Sequence, residues 1–317
     1  MALGDSMRKA LQGFPEQFGK GLALAEGVSA QDCDSCALVG MGGSALAGDL
    51  FNCWIPELSM QVRRDYSAPQ CDSGTLLFAC SYSGNTEETL AAFKDGFDSG
   101  AQTVAIASGG QLEREALGLE LPFIKLPSGI QPRCATGYFF SAMASALEES
   151  GFFAGRVDEV ADLSVSADEA AAKSMAAKLK GKIPLVYASS GWEAVARTCK
   201  IKFNENSKSP AFYNVFPELN HNEMVGFTKP PAKFAAVMLR DDGDDPRIRK
   251  RFDATEKILE AKGVECLDYE MQGASRLEKM FSALYFFDWA SFHLALANGV
   301  DPEPVAMVED LKKRLKA

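Results

Sequence analysis

The sequence predicts an α/β protein: two αβα sandwich subdomains with mainly parallel sheets, followed by a closing C-terminal helix. Short apolar runs recur along the chain, each ending in a small-residue turn and followed by a helical stretch, the pattern of parallel strands covered on both faces. The rhythm stops between Ala154 and Lys182, where Ala, Ser, Asp, Glu and Lys dominate, and then resumes. At 317 residues the chain suits two cores of ordinary size. The expected domains are residues 1–153 with a leading helix, a helical connector at 154–182, and residues 183–317 with a closing helix.

Each element has its own signal. Residues 8–26 read as one amphipathic helix. Ala37–Gly40 is a strand ending in Met41-Gly42-Gly43-Ser44, with a helix from Ala45 to Trp54. Thr75–Cys80 is a second strand, followed by Ser81-Tyr82-Ser83-Gly84-Asn85-Thr86 and a helix from Glu87 to Phe97. Thr103–Ala107 and Pro122–Leu126 are the third and fourth strands, and Thr136–Glu149 a long, largely buried helix. One amphipathic helix is expected inside the connector. Beyond it come strands at Ile183–Ala188, Phe234–Leu239 and Val264–Tyr269, and helices at Trp192–Asn204, 246–262 and 275–297. A final helix, Val305–Lys316, follows Asp301-Pro302-Glu303-Pro304, where proline suits a helix start.

Composition excludes several function classes. The formal charge of −10 and the lack of a long Lys/Arg stripe argue against nucleic acid as a partner. No run of 18 or more apolar residues occurs, so no membrane span is expected, and the first 25 residues lack the apolar core of a signal peptide. Eight scattered cysteines fit reduced thiols in a cytoplasm better than a disulfide framework. Cys33 and Cys36 form a lone C-x-x-C. It precedes a strand and has no second pair, so it reads as two small residues entering that strand.

The segment Ser81–Glu88 carries the most chemistry. It lies where a parallel strand gives way to a helix, the position at which open α/β sheets bind ligands. Ser81, Ser83 and Thr86 put three hydroxyls on one tight turn, and Gly84 permits close backbone approach. The helix that follows offers unpaired N–H groups and the positive end of its dipole, so the turn reads as an uncharged cradle for a phosphate monoester. An ordinary Ser/Thr N-cap is the plainer alternative, but it needs one hydroxyl rather than three. No Walker A loop occurs, and Gly40-Met41-Gly42-Gly43 does not match a dinucleotide fingerprint. Gly43 and Ser44 instead offer a second approach to the same ligand. Arg133, in the loop after the fourth strand, is expected to face that pocket, either as a surface ion pair or as a fixed guanidinium stabilising developing negative charge.

In the second half, Glu205 lies at a helix end between Asn204 and Asn206, and is either a solvated carboxylate or a base. The sequence has two histidines. His293 sits in a helix and reads as structural, whereas His221 is flanked by hydrogen-bonding groups in Glu218-Leu219-Asn220-His221-Asn222-Glu223. Two histidines so far apart make a His-rich metal site unexpected, and no cofactor is implied.

Together these motifs, in this order from about Ala37 to the C-terminal helix, resemble the bifunctional phosphoglucose/phosphomannose isomerases of the sugar isomerase (SIS) domain superfamily. The Ser-rich loop alone indicates a SIS domain; the Glu205 and His221 segments narrow the resemblance to this family. It implies that Ser81, Ser83 and Thr86, with Gly43 and Ser44 nearby, hold the 6-phosphate of a hexose. It implies Glu205 as the base moving a proton between C1 and C2, and Arg133 as the group stabilising a cis-enediolate. His221 would assist ring opening in the partner subunit of a homodimer. Lys312, which follows the apolar Leu311, would serve the ring oxygen, with Lys313 adjacent.

The implied activity is metal-independent interconversion of glucose 6-phosphate and mannose 6-phosphate with fructose 6-phosphate. One base can serve both aldoses, because they differ only at C2 and share one enediol. The competing readings are a SIS isomerase of another sugar phosphate and a non-catalytic phosphosugar sensor. A sensor would need the cradle but not Glu205, His221 and a terminal lysine together.

Overall fold

A computed structural model describes residues 3–315. The chain divides into two compact units. The N-terminal unit comprises residues 12–165 and 275–278, and the C-terminal unit residues 1–11, 166–274 and 279–317.

The chain opens with two helices, α1 (Asp5–Gln12) and α2 (Gln17–Leu24), rather than the single helix expected over 8–26. Pro15 falls in the gap, where a missing N–H and a fixed φ interrupt helical hydrogen bonding. There follow β1 (Ser35–Gly40), α3 (Leu46–Trp54), β2 (Gln61–Arg63), β3 (Thr75–Cys80), α4 (Glu87–Asp98), β4 (Gln102–Ala107), α5 (Gly110–Gly118), β5 (Phe123–Lys125) and α6 (Thr136–Glu149). The strands form a parallel sheet ordered β2-β1-β3-β4-β5. β1 and β3 run in register from Ser35 opposite Thr75 to Gly40 opposite Cys80, so both end at the same level.

Alternation along the strands sends side chains to two faces. Ala37, Val39, Leu77, Ala79, Ala105 and Ala107 pack against Ala92 and Phe93 of α4 and Leu112 and Ala116 of α5. On the opposite face Leu38 meets α3 at Gly48, where an added Cβ would come within 2.6 Å of Val62 Cγ2. Phe51 of α3 stacks on Phe140 of α6 with centroids 4.3 Å apart. Two helices, α7 (Arg156–Ala161) and α8 (Glu169–Leu179), occupy the connector, where one was expected.

The C-terminal unit contains β6 (Ile183–Ser189), α9 (Glu193–Glu205), β7 (Phe212–Phe216), β8 (Phe234–Arg240), α10 (Pro246–Glu260), β9 (Glu265–Glu270), most of α11 (Arg276–Ala297) and α12 (Ala306–Leu315). Its sheet is also parallel, ordered β7-β6-β8-β9. Leu185, Tyr187, Ala236 and Met238 pack with Phe252 and Leu259 of α10. Phe203 of α9 packs edge-to-face on Phe287 of α11, which in turn meets Tyr269 of β9. The expected final helix runs to Leu315; its predicted last residue, Lys316, lies outside the described residues. No helix among the described residues is long and apolar enough to cross a membrane.

Candidate active site

In each sheet the strand order reverses at one place, and the carboxyl ends of the strands on either side of that reversal form a natural crevice. In the N-terminal unit the reversal falls between β1 and β3. The loops leaving those two ends are Met41–Ala45 and Ser81–Thr86, the two motifs singled out in the sequence.

The first loop is a 3₁₀ turn, Gly42–Ala45. Gly42 has φ +51°, a left-handed value that favours glycine, while Gly43 and Ser44 are buried. In the second loop the Ser81 and Thr86 hydroxyls lie 2.9 Å apart. Thr86 is the N-cap of α4, yet its side chain makes no capping bond, so it does not play the plain capping role. Ser83 is exposed, its Oγ accepting the Asn85 N–H at 3.2 Å. Gly84 has φ +65°, and a Cβ there would stand 1.8 Å from the Gly109 carbonyl oxygen; no side chain fits. Asn85 Oδ1 and the Gly84 carbonyl accept the N–H groups of Gln111 and Leu112, so the first turn of α5 is satisfied by this loop. Glu87 and Glu88 occupy the first turn of α4 and already complement its dipole. An anion held here would rely on directional N–H and O–H donors rather than on net positive field.

Arg133 joins this edge. It sits in a short 3₁₀ turn, Pro132–Cys134, and is only 3% exposed, its Nη1 donating to Gln131 Oε1 at 3.4 Å. Its backbone abuts the first loop: a Cβ built on Gly43 would lie 3.0 Å from Arg133 Cα and 3.1 Å from its N. Behind it, buried Gln17 of α2 donates through Nε2 to the Cys134 carbonyl at 2.6 Å and accepts the Tyr138 N–H at 3.3 Å. One amide thereby ties the Arg133 turn to the start of α6. Gly43, Ser44, Ser81, Ser83, Thr86 and Arg133 thus share the carboxyl edge of one sheet.

The reversal in the second sheet, between β6 and β8, is built differently. Trp192, 1% exposed, donates its indole N–H to Asp241 Oδ2 at 2.9 Å, and Lys279 Nζ donates to Asp241 Oδ1 at 2.6 Å. An indole and an ion pair stand at this reversal, where hydroxyls line that of the N-terminal unit.

The other expected residues belong to the C-terminal unit. Glu205 is the last residue of α9 and is half-buried. Its helix end is fastened to α11 through a buried polar network. Lys202 Nζ donates to Asp288 Oδ1 at 2.6 Å, and Asn206 Nδ2 to Ser291 Oγ at 2.9 Å. His221 follows a 3₁₀ turn, Glu218–Asn220, and is exposed, its N–H donating to the Glu218 carbonyl at 2.9 Å. That loop is held by Asn220, whose amide donates to Thr255 Oγ1 at 2.8 Å and accepts Arg251 Nη1 at 3.1 Å. Lys312 lies on α12, which buries none of its residues, and pairs with Glu309 at 2.8 Å. His293, read as structural, is 8% exposed with Nε2 2.9 Å from Glu169 Oε1. Cys33 and Cys36 are free thiols.

Two arrangements were not visible in the sequence, where Glu223 stands as an alternative base to Glu205. Glu223, one of the carboxylates beside His221, has both oxygens engaged: Oε1 accepts the Tyr187 hydroxyl at 2.5 Å and Oε2 accepts Asn214 Nδ2. Tyr82, inside the Ser-rich loop, bonds to several neighbouring loops at once. Its position in the motif was visible, but only its neighbours' hydroxyls carried a signal.

Residues 168–315 match the family model described as "Bacterial phospho-glucose isomerase C-terminal SIS domain". A bifunctional phosphoglucose/phosphomannose isomerase from Caldicellulosiruptor bescii is 37% identical to this chain over 334 aligned positions, covering 98% of each. A protein of the same name from Thermoplasma acidophilum is 36% identical over 88% of each. Among solved structures, the C-terminal domain of glucosamine-fructose-6-phosphate aminotransferase from Francisella tularensis matches with a TM-score of 0.70. That match covers 94% of this chain and 98% of that one at 14% identity, a likeness of fold. With its hydroxyl-lined turn at the reversal of a parallel sheet and this identity over its whole length, the chain belongs to the bifunctional phosphoglucose/phosphomannose isomerase family.

Proposed function

We propose that the protein is an aldose–ketose isomerase that interconverts glucose 6-phosphate and mannose 6-phosphate with fructose 6-phosphate, without a metal ion. The observation that carries this reading is the meeting of the Gly43 backbone with that of Arg133 beside the Ser81–Thr86 hydroxyls. A phosphate anchor and a fixed cation then share one sheet edge. The names borne by the 37% and 36% identical relatives support the same substrates.

In this mechanism Ser81, Ser83 and Thr86, with the Gly43–Ser44 turn, hold the 6-phosphate through neutral donors. Glu205 removes the C2 proton of the open-chain aldose. Electrons from that C–H bond form the C1–C2 double bond, and the carbonyl oxygen becomes the enediolate oxygen. Arg133 stabilises that developing charge, acting where burial keeps its guanidinium from being screened by water. The proton on O2 then passes to O1, and Glu205 returns its proton to C1 as the C1–C2 double-bond electrons shift to form the C2 carbonyl, giving the ketose. Because the enediol has lost the C2 configuration, the same carboxylate serves glucose and mannose 6-phosphates. His221 and Lys312 assist ring opening, His221 acting in the neighbouring copy of a homodimer, and the enzyme works in the cytoplasm.

The test is a coupled assay starting from fructose 6-phosphate, after exhaustive EDTA treatment, that reads both aldose products. Formation of both is expected. Loss of turnover restored by added zinc would overturn the metal-free step, and binding of fructose 6-phosphate without any turnover would make the protein a sensor.

A further inference from the structure

We infer that Tyr82 is a positioning residue that holds the Arg133 loop in register with the phosphate cradle. The inference rests on the isomerase reading above. Tyr82 directly follows Ser81 and is 7% exposed. Its N–H donates to Ser44 Oγ at 3.0 Å, reaching the loop after β1. Its carbonyl accepts the Ser108 N–H at 2.9 Å and the Ser108 hydroxyl at 2.6 Å, reaching the loop after β4. Its phenol donates to the Pro127 carbonyl at 2.8 Å and accepts the Ile130 N–H at 3.3 Å, reaching the loop after β5. That last loop ends in Arg133, three residues beyond Ile130.

Only part of this depends on residue type. Any residue at position 82 would supply the N–H and the carbonyl, so the bonds to Ser44 and Ser108 belong to the backbone. The phenol oxygen alone requires tyrosine, and both of its bonds go to the segment carrying Arg133. Burial pushes the phenol pKa up, so the group stays protonated and able to donate. Gly129, between the two bonded positions, is exposed and has φ +94°, with open space where a Cβ would be. The Tyr82 phenol is therefore a specific tie, and what it positions is the cation rather than the phosphate donors.

The experiment compares Tyr82→Phe, Arg133→Ala and the double variant with the wild-type enzyme in fructose 6-phosphate isomerisation. Tyr82→Phe keeps the ring and every backbone bond. The expected result is a kcat loss on the order of 10-fold to 10²-fold, the scale of a misplaced catalytic group. KM and competitive inhibition by inorganic phosphate should stay within about twofold, because the cradle is untouched. In the Arg133→Ala background Tyr82→Phe should cost almost nothing further, since the residue acts through Arg133. Tyr82→4-aminophenylalanine, which restores a donor at the same reach, should recover most of kcat and guards against misreading a folding defect. Unchanged kcat, a rise in KM alone, or full additivity with Arg133→Ala would each overturn the inference. A wild-type protein without isomerase activity would instead remove the reading beneath it.

Discussion

Gly43 and Arg133 meet backbone to backbone: a Cβ on the glycine would lie 3.0 Å from the arginine Cα, 3.1 Å from its N and 3.3 Å from the Pro132 carbonyl carbon. Atoms of a side chain could swing away, but these belong to the main chain of a short 3₁₀ turn. The loop after β1 and the loop carrying Arg133 are thus fitted to one another to within a few tenths of an ångström, and the fit passes through an absent methyl group.

Gly43→Ala should therefore displace Arg133 more than it destabilises the fold. Gly43 does not need a left-handed backbone, so alanine is conformationally acceptable there. The expected outcome is a kcat/KM loss on the order of 10²-fold with a modest change in melting temperature. Gly42→Ala is the control. It has open space but φ +51°, so it should cost about 1–2 kcal/mol of stability with less effect on kcat. Equal activity of Gly43→Ala and wild type would mean that the contact does not position Arg133.

The second prediction separates two carboxylates. Glu223 is committed: Tyr187 and Asn214 hold its two oxygens, and burial together with the Glu223 bond pushes the Tyr187 phenol pKa well up, keeping it a donor. Glu205 should be the base. Glu205→Gln is expected to lose ~10²–10⁴-fold in kcat with KM retained, and to stop exchange of the C2 proton with deuterated solvent. Glu223→Gln should mainly lower stability. Near-normal exchange in Glu205→Gln together with collapse in Glu223→Gln would transfer the role.

The central strands and their loops were legible because each is a short, fully buried run punctuated by small residues, as in Thr75–Cys80. Two strands were not. β2 and β7 lie at the edges of their sheets, and their half-exposed sequences, Gln-Val-Arg and Phe-Tyr-Asn-Val-Phe, carry neither a continuous apolar run nor clean alternation. α5 was also passed over, although Gln111–Leu117 are all good helix formers, because glycines stand at both of its ends; the Gly84 carbonyl and Asn85 support its first turn. The hydroxyls of Ser81, Ser83 and Thr86 were legible as a local motif. The phenol of Tyr82, the backbone fit of Gly43 and the commitment of Glu223 were not, because each is defined by segments distant in sequence.

His293 gives a pH prediction. Burial lowers its pKa, the bond to Glu169 pulls the other way, and the charges of Arg8 and Lys173 lower it further. The net shift is downward, so the folded state favours the neutral ring more than the unfolded chain does. Its contribution to stability is thus fully present above the unfolded value of about 6.5 and is lost as pH falls through the lower folded value. Denaturation midpoints measured from pH 7 to pH 5 should fall less steeply for His293→Gln than for wild type. Parallel slopes would show that the histidine is not linked to folding.

The last prediction concerns the helix end that presents Glu205. Lys202 and Asp288 form an ion pair with side chains 2% and 1% exposed, one turn before Glu205. Removing one partner leaves a buried charge without its counter-ion, so Lys202→Met should cost about 3–5 kcal/mol. The double variant Lys202→Met with Asp288→Leu removes both charges and should recover most of that loss, because an ion pair this buried gains little net stability over apolar packing. The two single-variant costs should then add to far more than the cost of the double variant, a coupling measurable by urea denaturation of the C-terminal unit's fluorescence through Trp192 and Trp289. Asn206 and Ser207 still bond to Ser291 in the double variant, so the end of α9 stays on α11 and kcat should hold within a few-fold. A single variant that costs less than about 1 kcal/mol would mean that water reaches the pair. A stable double variant with kcat collapsed would mean that the charges, and not the fastening of the helix, set the behaviour of Glu205.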